Sequence, residues 1–364
     1  MKLTVEKDVL LEALQKVQSI VGQRSTLPIL SNVLLKAEGD TVSLTTTDME
    51  VCIKTGAAAE ISDPGGTTLP ARRFFSICRE LPDGQVEIEV DARDVTTIRC
   101  GPSFFKLVGL PEEEFPPLPE FEGREVYTVE QDMFREMLRK VIYAASTDET
   151  RYILNGALLC FKDEKLTVVA TDGRRLALVE QEVEFPEDAQ TNLVVPTKTL
   201  NELIKTLGGE GVLRIRVSET QVAFDFDRIL IISKLIEGTY PNFQQVIPSQ
   251  CEERVAIDRE TILTAVRRVS LLTDDQTASI RLNFGRNKLE LVTNSPEIGE
   301  ARETVPVKYE GKEISIAFNP GFLMAPLRHL DSDEIFFELS DELSPGVIKT
   351  SVPFLYVLMP IRIS

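Results

Sequence analysis

Tryptophan is absent from this 364-residue chain, and histidine occurs once, at His329. A Ser-His-Asp triad would have to be built on that one imidazole, so histidine-based catalysis has almost nothing to work with. His329 ends a predicted helix, where a capping or solvent-facing role is expected. No apolar run approaches the roughly 20 residues that span a bilayer. The opening residues, MKLTVEKDVLLEALQK, interrupt their apolar stretch with charge, unlike a secretory leader. The five cysteines, at 52, 78, 100, 160 and 251, are odd in number and form no CxxC pair. They read as reduced, buried thiols of a cytoplasmic protein. There is no GxxxxGK[ST] phosphate loop and no GxGxxG fingerprint after a strand, and GGEGVLR (208–214) reads as a turn. Asp274 and Asp275 are adjacent acids without further ligands, which marks a solvated loop. No cofactor, no metal and no catalytic residue are expected.

Positive charge is also in short supply: Lys and Arg number 40 against 58 Asp and Glu, for a net charge of −18. This argues against indiscriminate nucleic-acid binding, because affinity for phosphates comes from Lys and Arg. It leaves open where the positive charges sit. A hydrophobic content of 43% with 27% charged residues is that of a globular protein.

What the chain does contain is one unit written three times. LTVEKDVLLEALQKVQSIV (3–21) resembles YTVEQDMFREMLRKVIYAA (127–145), and both resemble VAIDRETILTAVRRVSLLT (255–273). Each is a short alternating strand, an acidic residue, then apolar residues at helical spacing. ILSNVLLKAEGDTVSLTTTD (29–48) pairs with ILNGALLCFKDEKLTVVATD (153–172), with SIRLNFGRNKLELVTNS (279–295) a more distant third. A second helix follows a proline in PARRFFSICRELP and PTKTLNELIKTLGG, with NPGFLMAPLRHL as the third version. The unit is too long for a solenoid repeat and suits a domain with its own core. PEEEFPPLPEFEG (111–123) and IPSQCEE (247–253) read as linkers. The expectation is three α+β domains, 1–122, 123–250 and 251–364.

Basic residues outnumber acidic ones in the six predicted helices (8–24, 72–80, 130–146, 198–207, 258–272, 319–330), against the trend of the whole chain. Aligned first helices place Lys16, Lys140 and Arg268 at one position and Gln15, Arg139 and Arg267 at another. The second helices add Arg72, Arg73 and Lys198. Ordinary solvated helix faces would explain any one helix; the triplication suggests contact with phosphates without reading of bases. Helices pack about 9–10 Å apart, so a closed ring lined by six leaves almost no hole, whereas twelve leave about 26 Å of clearance. That admits a duplex, and two chains supply twelve helices.

MKLTVEKDVLLEAL, RSTLPILSNVLL, PARRFFSICRELP, RYILNGALL, ATDGRRLAL, SKLIEGTYPNF and YVLMPIRIS, in this order on three repeats, resemble the bacterial DNA polymerase III beta subunit family, the replication sliding clamps. The resemblance covers the whole chain. It implies three clamp-type domains, each with two helices packed on β-sheets, forming half of a closed ring. It further implies a head-to-tail homodimer that encircles duplex DNA without sequence preference. The implied partners are a clamp loader, the DNA polymerase III catalytic subunit, and other polymerases and repair proteins carrying a short clamp-binding peptide.

In that family the peptide pocket matches Leu154, Thr171, Gly173, Arg174, Arg175, Leu176, Pro241, Val246, Asn319, Phe322, Val357, Met359, Pro360, Ile361 and Arg362. An apolar floor with polar groups at its rim suits a peptide anchor, and Thr171 and the arginines are expected to hydrogen-bond the peptide. Arg174 stands where histidine is often found, Gln245 where a pocket arginine can occur, and Ser364 extends the tail. The resemblance also assigns DNA contacts to Arg24, Arg151 and Tyr152, alongside the helix residues Arg72, Arg139, Lys140, Lys198, Arg267 and Arg268. It places a dimer seam between the FFKLVGL edge, with Leu107, and Leu271, Leu272, Glu297, Glu300 and Glu303; Pro102 and Phe104 replace expected basic residues, a role left to Arg73 and Lys106. The rival readings are a hydrolase or nucleotide-binding enzyme using Asp172, Arg174 and Arg175, and an assembly scaffold that never touches DNA.

Overall fold

A computed structural model describes residues 1–21, 27–117, 121, 124–186, 189–273 and 279–362. Arg24, Asp274, Asp275 and Ser364 lie outside the described residues. The repeat is visible in the element order. The first copy runs β1 (Lys2–Glu6), α1 (Lys7–Val17), β2 (Asn32–Glu38), β3 (Thr41–Thr47), β4 (Val51–Ala58), β5 (Glu60–Asp63), β6 (Gly65–Pro70), α2 (Ala71–Glu80), β7 (Gln85–Val90), β8 (Val95–Cys100) and β9 (Ser103–Val108). The second runs β10 (Arg124–Glu130), α3 (Gln131–Val141), β11 (Gly156–Lys162), β12 (Lys165–Thr171), β13 (Arg175–Glu182), β14 (Thr191–Pro196), α4 (Thr197–Thr206), β15 (Val212–Val217), β16 (Gln221–Phe226) and β17 (Ile229–Lys234). The third runs β18 (Glu253–Asp258), α5 (Arg259–Val269), β19 (Ile280–Gly285), β20 (Lys288–Ser295), β21 (Gly299–Pro306), β22 (Ile314–Phe318), α6 (Pro320–Leu327), β23 (Glu334–Leu339), β24 (Gly346–Lys349) and β25 (Phe354–Leu358).

The sheets do not respect the repeat boundaries. The chain forms two compact units, Met1–Asp132 with Lys205–Leu235 and Met133–Ile204 with Ile236–Ser364, so the central repeat is shared between them. The first unit holds a sheet ordered β5-β1-β7-β8-β9 and an eight-stranded sheet ordered β10-β15-β16-β17-β4-β3-β2-β6. In the latter, β17 of the central repeat pairs antiparallel with β4 of the first, Ile229 opposite Thr55 through Ser233 opposite Val51. The second unit holds a sheet ordered β14-β11-β12-β13-β25-β24-β23-β18 and a four-stranded sheet ordered β21-β20-β19-β22. There β13 pairs with β25 of the third repeat, Arg175 opposite Leu358 through Val179 opposite Phe354. An exposed row of N–H and C=O groups is a template for another strand, and these two pairings satisfy such rows within the chain.

Helices α1 and α2 pack together in the first unit, α5 and α6 in the second. The first helices are shorter than their periodicity suggests. α1, α3 and α5 each stop early and tighten into 3-10 turns over 18–20, 142–144 and 270–272, a common way to close a final turn. Helix α6 is apolar nearly all round, burying Leu323, Met324 and Leu327. It begins with Asn319 accepting from the Phe322 amide at 3.1 Å, followed by Pro320, and is shorter than the predicted 319–330. Pro326, inside it, has no N–H to offer the Phe322 carbonyl; the Tyr356 hydroxyl donates to that carbonyl instead, at 2.8 Å. Two residues of the first linker are packed: Phe115 is buried, and Phe121 lies against Cys52, Ala223 and Ile232.

In the third repeat, Phe337 stands 5.8 Å from both Phe284 and Phe318, ring centre to ring centre. Gly346 lets β24 cross this cluster, since a Cβ there would lie 2.8 Å from Phe318 Cζ. Phe337→Ala is expected to cost about 3–5 kcal/mol, read as a lowered urea midpoint for loss of the second unit's structure. A shift near zero would mean that the cluster is not a packed core.

Candidate functional site

The turn from Thr171 to Arg175, between β12 and β13, is a closed hydrogen-bonded unit. Thr171 Oγ1 donates to the Arg175 carbonyl at 2.6 Å and accepts from the Gly173 amide at 3.1 Å. Asp172 Oδ1 accepts from the amides of Arg174 and Arg175 at 2.9 and 3.1 Å, and Oδ2 takes the Arg175 Nε at 2.9 Å. Gly173 sits at φ +85°, a conformation that glycine adopts without strain. The Arg175 guanidinium lies over the Phe322 ring at 4.3 Å, a cation–π contact. The resemblance implies that Thr171 and Arg175 bond an incoming peptide; in the free chain their polar groups serve the turn and the neighbouring ring. Arg174 is the exposed arginine.

Beneath the turn lies an apolar cluster of Leu154, Leu158, Val169, Leu176, Leu178, Val194, Tyr240 and Val357, with Ile153, Phe243 and Ile247 against it. Leu154, Leu176 and Val357, three of the residues the resemblance assigns to the pocket, thus share one buried cluster. Tyr240, Phe243 and Ile247 were missed because the segment around them reads as a connector. Their signal was Tyr240 just before Pro241, Phe243 two residues after it, and Ile247 at the start of IPSQCEE. Burial raises the Tyr240 hydroxyl above its ordinary value, and its proton faces the Val169 carbonyl at 3.5 Å.

The chain's last described residues run along the rim. The Met359 amide donates to the Arg174 carbonyl at 2.9 Å and the Ile361 amide to the Ala317 carbonyl at 2.7 Å. Met359, Ile361 and Val246 are exposed at 36%, 37% and 38%, so the rim carries apolar groups in water. Pro241 and Arg362 are exposed, Pro360, Phe322 and Asn319 half-buried. Ile361 and Arg362 also line a cleft of about 560 Å³ with Arg281, Ala317 and Leu343. The fixed turn, the buried apolar cluster and the backbone tied along one side thus set apolar groups beside exposed charge, a lining of the kind that suits a peptide anchor.

Below the turn, Tyr143 stacks on His329 at 4.8 Å and lies 6.0 Å from Tyr356. His329 Nδ1 is 2.8 Å from the Ala325 carbonyl, just after α6. The single histidine is therefore half-buried in an aromatic stack.

The basic residues are arranged less simply than their alignment suggests. Arg139 pairs with Glu136 at 2.8 Å, and Arg268 makes a two-pronged ion pair with Glu303. Glu303's carboxyl is held below its ordinary value by the Arg268 hydrogen bonds. Sequence reading gave Arg268 to DNA and Glu303 to a dimer seam, whereas here each neutralises the other. Arg72 Nη2 donates to the Val21 carbonyl at 3.2 Å, and Lys198 and Arg267 are exposed, Lys140 half-buried. Arg151 is exposed and reaches the Asp172 carbonyl at 3.3 Å, while Tyr152 is 60% exposed beside it. Asp148, in the same loop, accepts from the Thr150 hydroxyl and amide, which lowers its pKa.

Two sheet edges carry the remaining predicted residues. Strand β9 ends its sheet and exposes Phe104, Phe105 and Val108. Leu107 is buried in its own sheet, because alternation along β9 turns it inward. Arg73 and Lys106 are exposed. Strand β21 ends the four-stranded sheet, next to the turn carrying Leu271, 76% exposed, and half-buried Leu272. Glu297 is exposed there; Glu300 pairs with Arg302 at 2.5 Å. All five cysteines are unpaired thiols, three buried and two half-buried. Burial pushes Cys52 and Cys78 up to about 12, which leaves them poor nucleophiles. Among the described residues no group of three or more His, Cys, Asp or Glu could hold a metal ion, and no helix is long and apolar enough to cross a membrane.

Three family models match in order: DNA polymerase III beta subunit N-terminal domain over residues 1–119, central domain over 128–242, and C-terminal domain over 244–362. The chain is 34% identical to the beta sliding clamp of Bacillus subtilis and 33% identical to that of Escherichia coli, each comparison covering both chains in full. Among solved structures it is similar to the DNA polymerase sliding clamp of Bacillus subtilis, with a TM-score of 0.96 at 33% identity. It is equally similar to a sliding clamp of Bartonella birtlesii bound to griselimycin, with a TM-score of 0.96 at 34% identity, and both matches cover the full chains.

Asp172 is the keystone of the turn. Asp172→Ala removes the acceptor for two amides and the partner of Arg175, at an expected cost of about 1–3 kcal/mol. Because Met359 is tied to Arg174, amide hydrogen exchange at Met359 should quicken in the variant. Unchanged exchange would mean that the tail is held independently of the turn.

Proposed function

The chain belongs to the DNA polymerase III beta-subunit family, the sliding clamps of bacterial replication, and from that premise we propose that two copies close head to tail into a ring around duplex DNA. The ring keeps the DNA polymerase III catalytic subunit on its template and serves other polymerases and repair proteins that carry a short clamp-binding peptide. It is opened and closed by a clamp loader, acts in the cytoplasm and catalyses no reaction itself. Its domains are 1–122, 123–250 and 251–364. The inert thiols and the stacked histidine favour this over a hydrolase built on Asp172, Arg174 and Arg175.

The observation that carries the reading is a pair of sheet edges at matching places in the repeat. Within one chain β4 and β13 pair with the final strand of the next repeat, whereas β21, their equivalent in the third repeat, and β9, the final strand of the first, each end a sheet. An unpaired edge with exposed Phe104, Phe105 and Val108 invites another strand, and β21 with Leu271 and Ile298 beside it offers one on a second copy. Lys106 and Arg73 complement Glu297 across such a seam, which rests mainly on apolar burial because Glu300 and Glu303 have arginine partners of their own. DNA contact falls to Arg24, Arg72, Arg151, Tyr152, Lys198 and Arg267, with Arg139, Lys140 and Arg268 contributing as phosphate competes for them. Binding of this kind weakens with salt and is indifferent to sequence.

Partner peptides are assigned to the rim formed by Arg174, Val246, Asn319, Phe322 and Met359–Arg362 above the Leu154–Leu176–Val357 floor. Deleting residues 360–364 should abolish binding of a fluorescent peptide from the C-terminal region of the cognate polymerase III catalytic subunit, measured by anisotropy, while dimer mass in solution persists. Equal affinity in the truncated protein would place the peptide elsewhere.

A further inference from the structure

The turn from Thr47 to Val51, between β3 and β4, repeats four of the docking turn's hydrogen bonds. Thr47 Oγ1 donates to the Val51 carbonyl at 3.0 Å and accepts from the Met49 amide at 3.1 Å. Asp48 Oδ1 accepts from the amides of Glu50 and Val51 at 3.0 and 2.8 Å. The strand from the following repeat is tied on in the same way: the Lys234 amide donates to the Glu50 carbonyl at 2.9 Å, as Met359 does to Arg174. Thr47, Asp48, Met49 and Glu50 thus stand where Thr171, Asp172, Gly173 and Arg174 stand in the docking turn.

Two differences give this copy a character of its own. Met49 holds φ +77° where the docking turn has Gly173 at +85°. A non-glycine residue in that region is strained, and such strain persists where the surroundings impose it. Glycine would relieve it, so the methionine places something that glycine cannot. That is a pliable thioether, 51% exposed, on the wall of a cavity of about 160 Å³. Val51, Cys52, Pro116 and Ile232 line the same cavity. A space of about 150 Å³ accepts a benzene-sized group.

The second difference is charge. The docking turn sets Arg174 and Arg175 beside Asp172; this one sets Glu50 and Val51 beside Asp48, with Lys234 in the place of Met359. The balance passes from positive to negative. Glu50 is exposed and makes no ion pair with a described residue.

We propose that the Thr47–Val51 turn and its cavity form a second anchor site, which takes one leucine- or phenylalanine-sized side chain from a partner peptide bearing a basic residue next to the anchor. The inference rests on reading the Thr171–Arg175 turn as a peptide-docking turn, because it extends that role to a copy with the same backbone and the opposite charge. The two sites would then select flanking residues of opposite sign.

The test uses the full chain, carbon-13 labelled at methionine and isoleucine methyls, titrated with two synthetic peptides, acetyl-GRLFG-amide and acetyl-GDLFG-amide. The arginine peptide should shift the Met49 and Ile232 signals, and the aspartate peptide should bind there about fivefold more weakly. Glu50→Lys, an exposed change that leaves the core alone, should reverse that order. Movement of Met49 and Ile232 without Met359 would support the second site and place the failure in the docking reading. Movement of Met359 alone, or equal shifts of Met49 and Ile232 with both peptides and in the variant, would overturn the proposal.

Discussion

Antiparallel pairing across repeat boundaries, β17 on β4 and β25 on β13, is the constraint on which the rest of this structure depends. A domain of this size that ended at its own last strand would leave rows of backbone donors and acceptors in water, open to any passing strand. By lending its final strands to the preceding repeat, each following repeat satisfies those groups. It also fixes the register, because a slip of one residue would turn every side chain to the wrong face. The Thr171–Arg175 turn is held by this arrangement. Where β25 leaves β13, the Met359 amide hydrogen-bonds the Arg174 carbonyl, beside the apolar cluster that holds Leu176 and Val357.

The same logic singles out two of the chain's sheet edges. By place in the repeat β9 corresponds to β17 and β25, and β21 to β4 and β13, yet β9 and β21 each end a sheet instead of pairing with one another. We propose that a second copy completes the series. The apolar residues at these edges would be an aggregation hazard in a monomer. Head-to-tail closure of a small number of copies removes the hazard, whereas an open series would polymerise.

Much of this was legible in the sequence. Three copies of strand, helix, strands, helix, strands could be read because hydrophobic periodicity survives where residue identity does not, as between YTVEQDMF and VAIDRETI. The Thr-Asp-Gly turn was legible for the same reason that it is structural: its side chains bond their own backbone. What could not be read was partnership. Alternation along β13 says which residues face inward but not that β25 lies alongside. Arg268 and Glu303 looked like members of two different surfaces until the fold set them against each other. Leu107 looked available because the exposed face of β9 is fixed by its sheet, not by its composition. Tyr240, Phe243 and Ile247 lie in a segment without periodicity, and only the packed structure shows them as floor rather than connector.

The central claim is that the chain holds DNA by enclosing it. The most direct measurement loads the protein onto a nicked circular plasmid with its clamp loader and follows its retention by gel filtration before and after a single cut linearises the DNA. Retention on the circle, resistant to moderate salt and lost on cutting, is the predicted result. Equal retention on circular and linear DNA, disappearing as salt is raised, would contradict it and reduce the interaction to ordinary electrostatic binding.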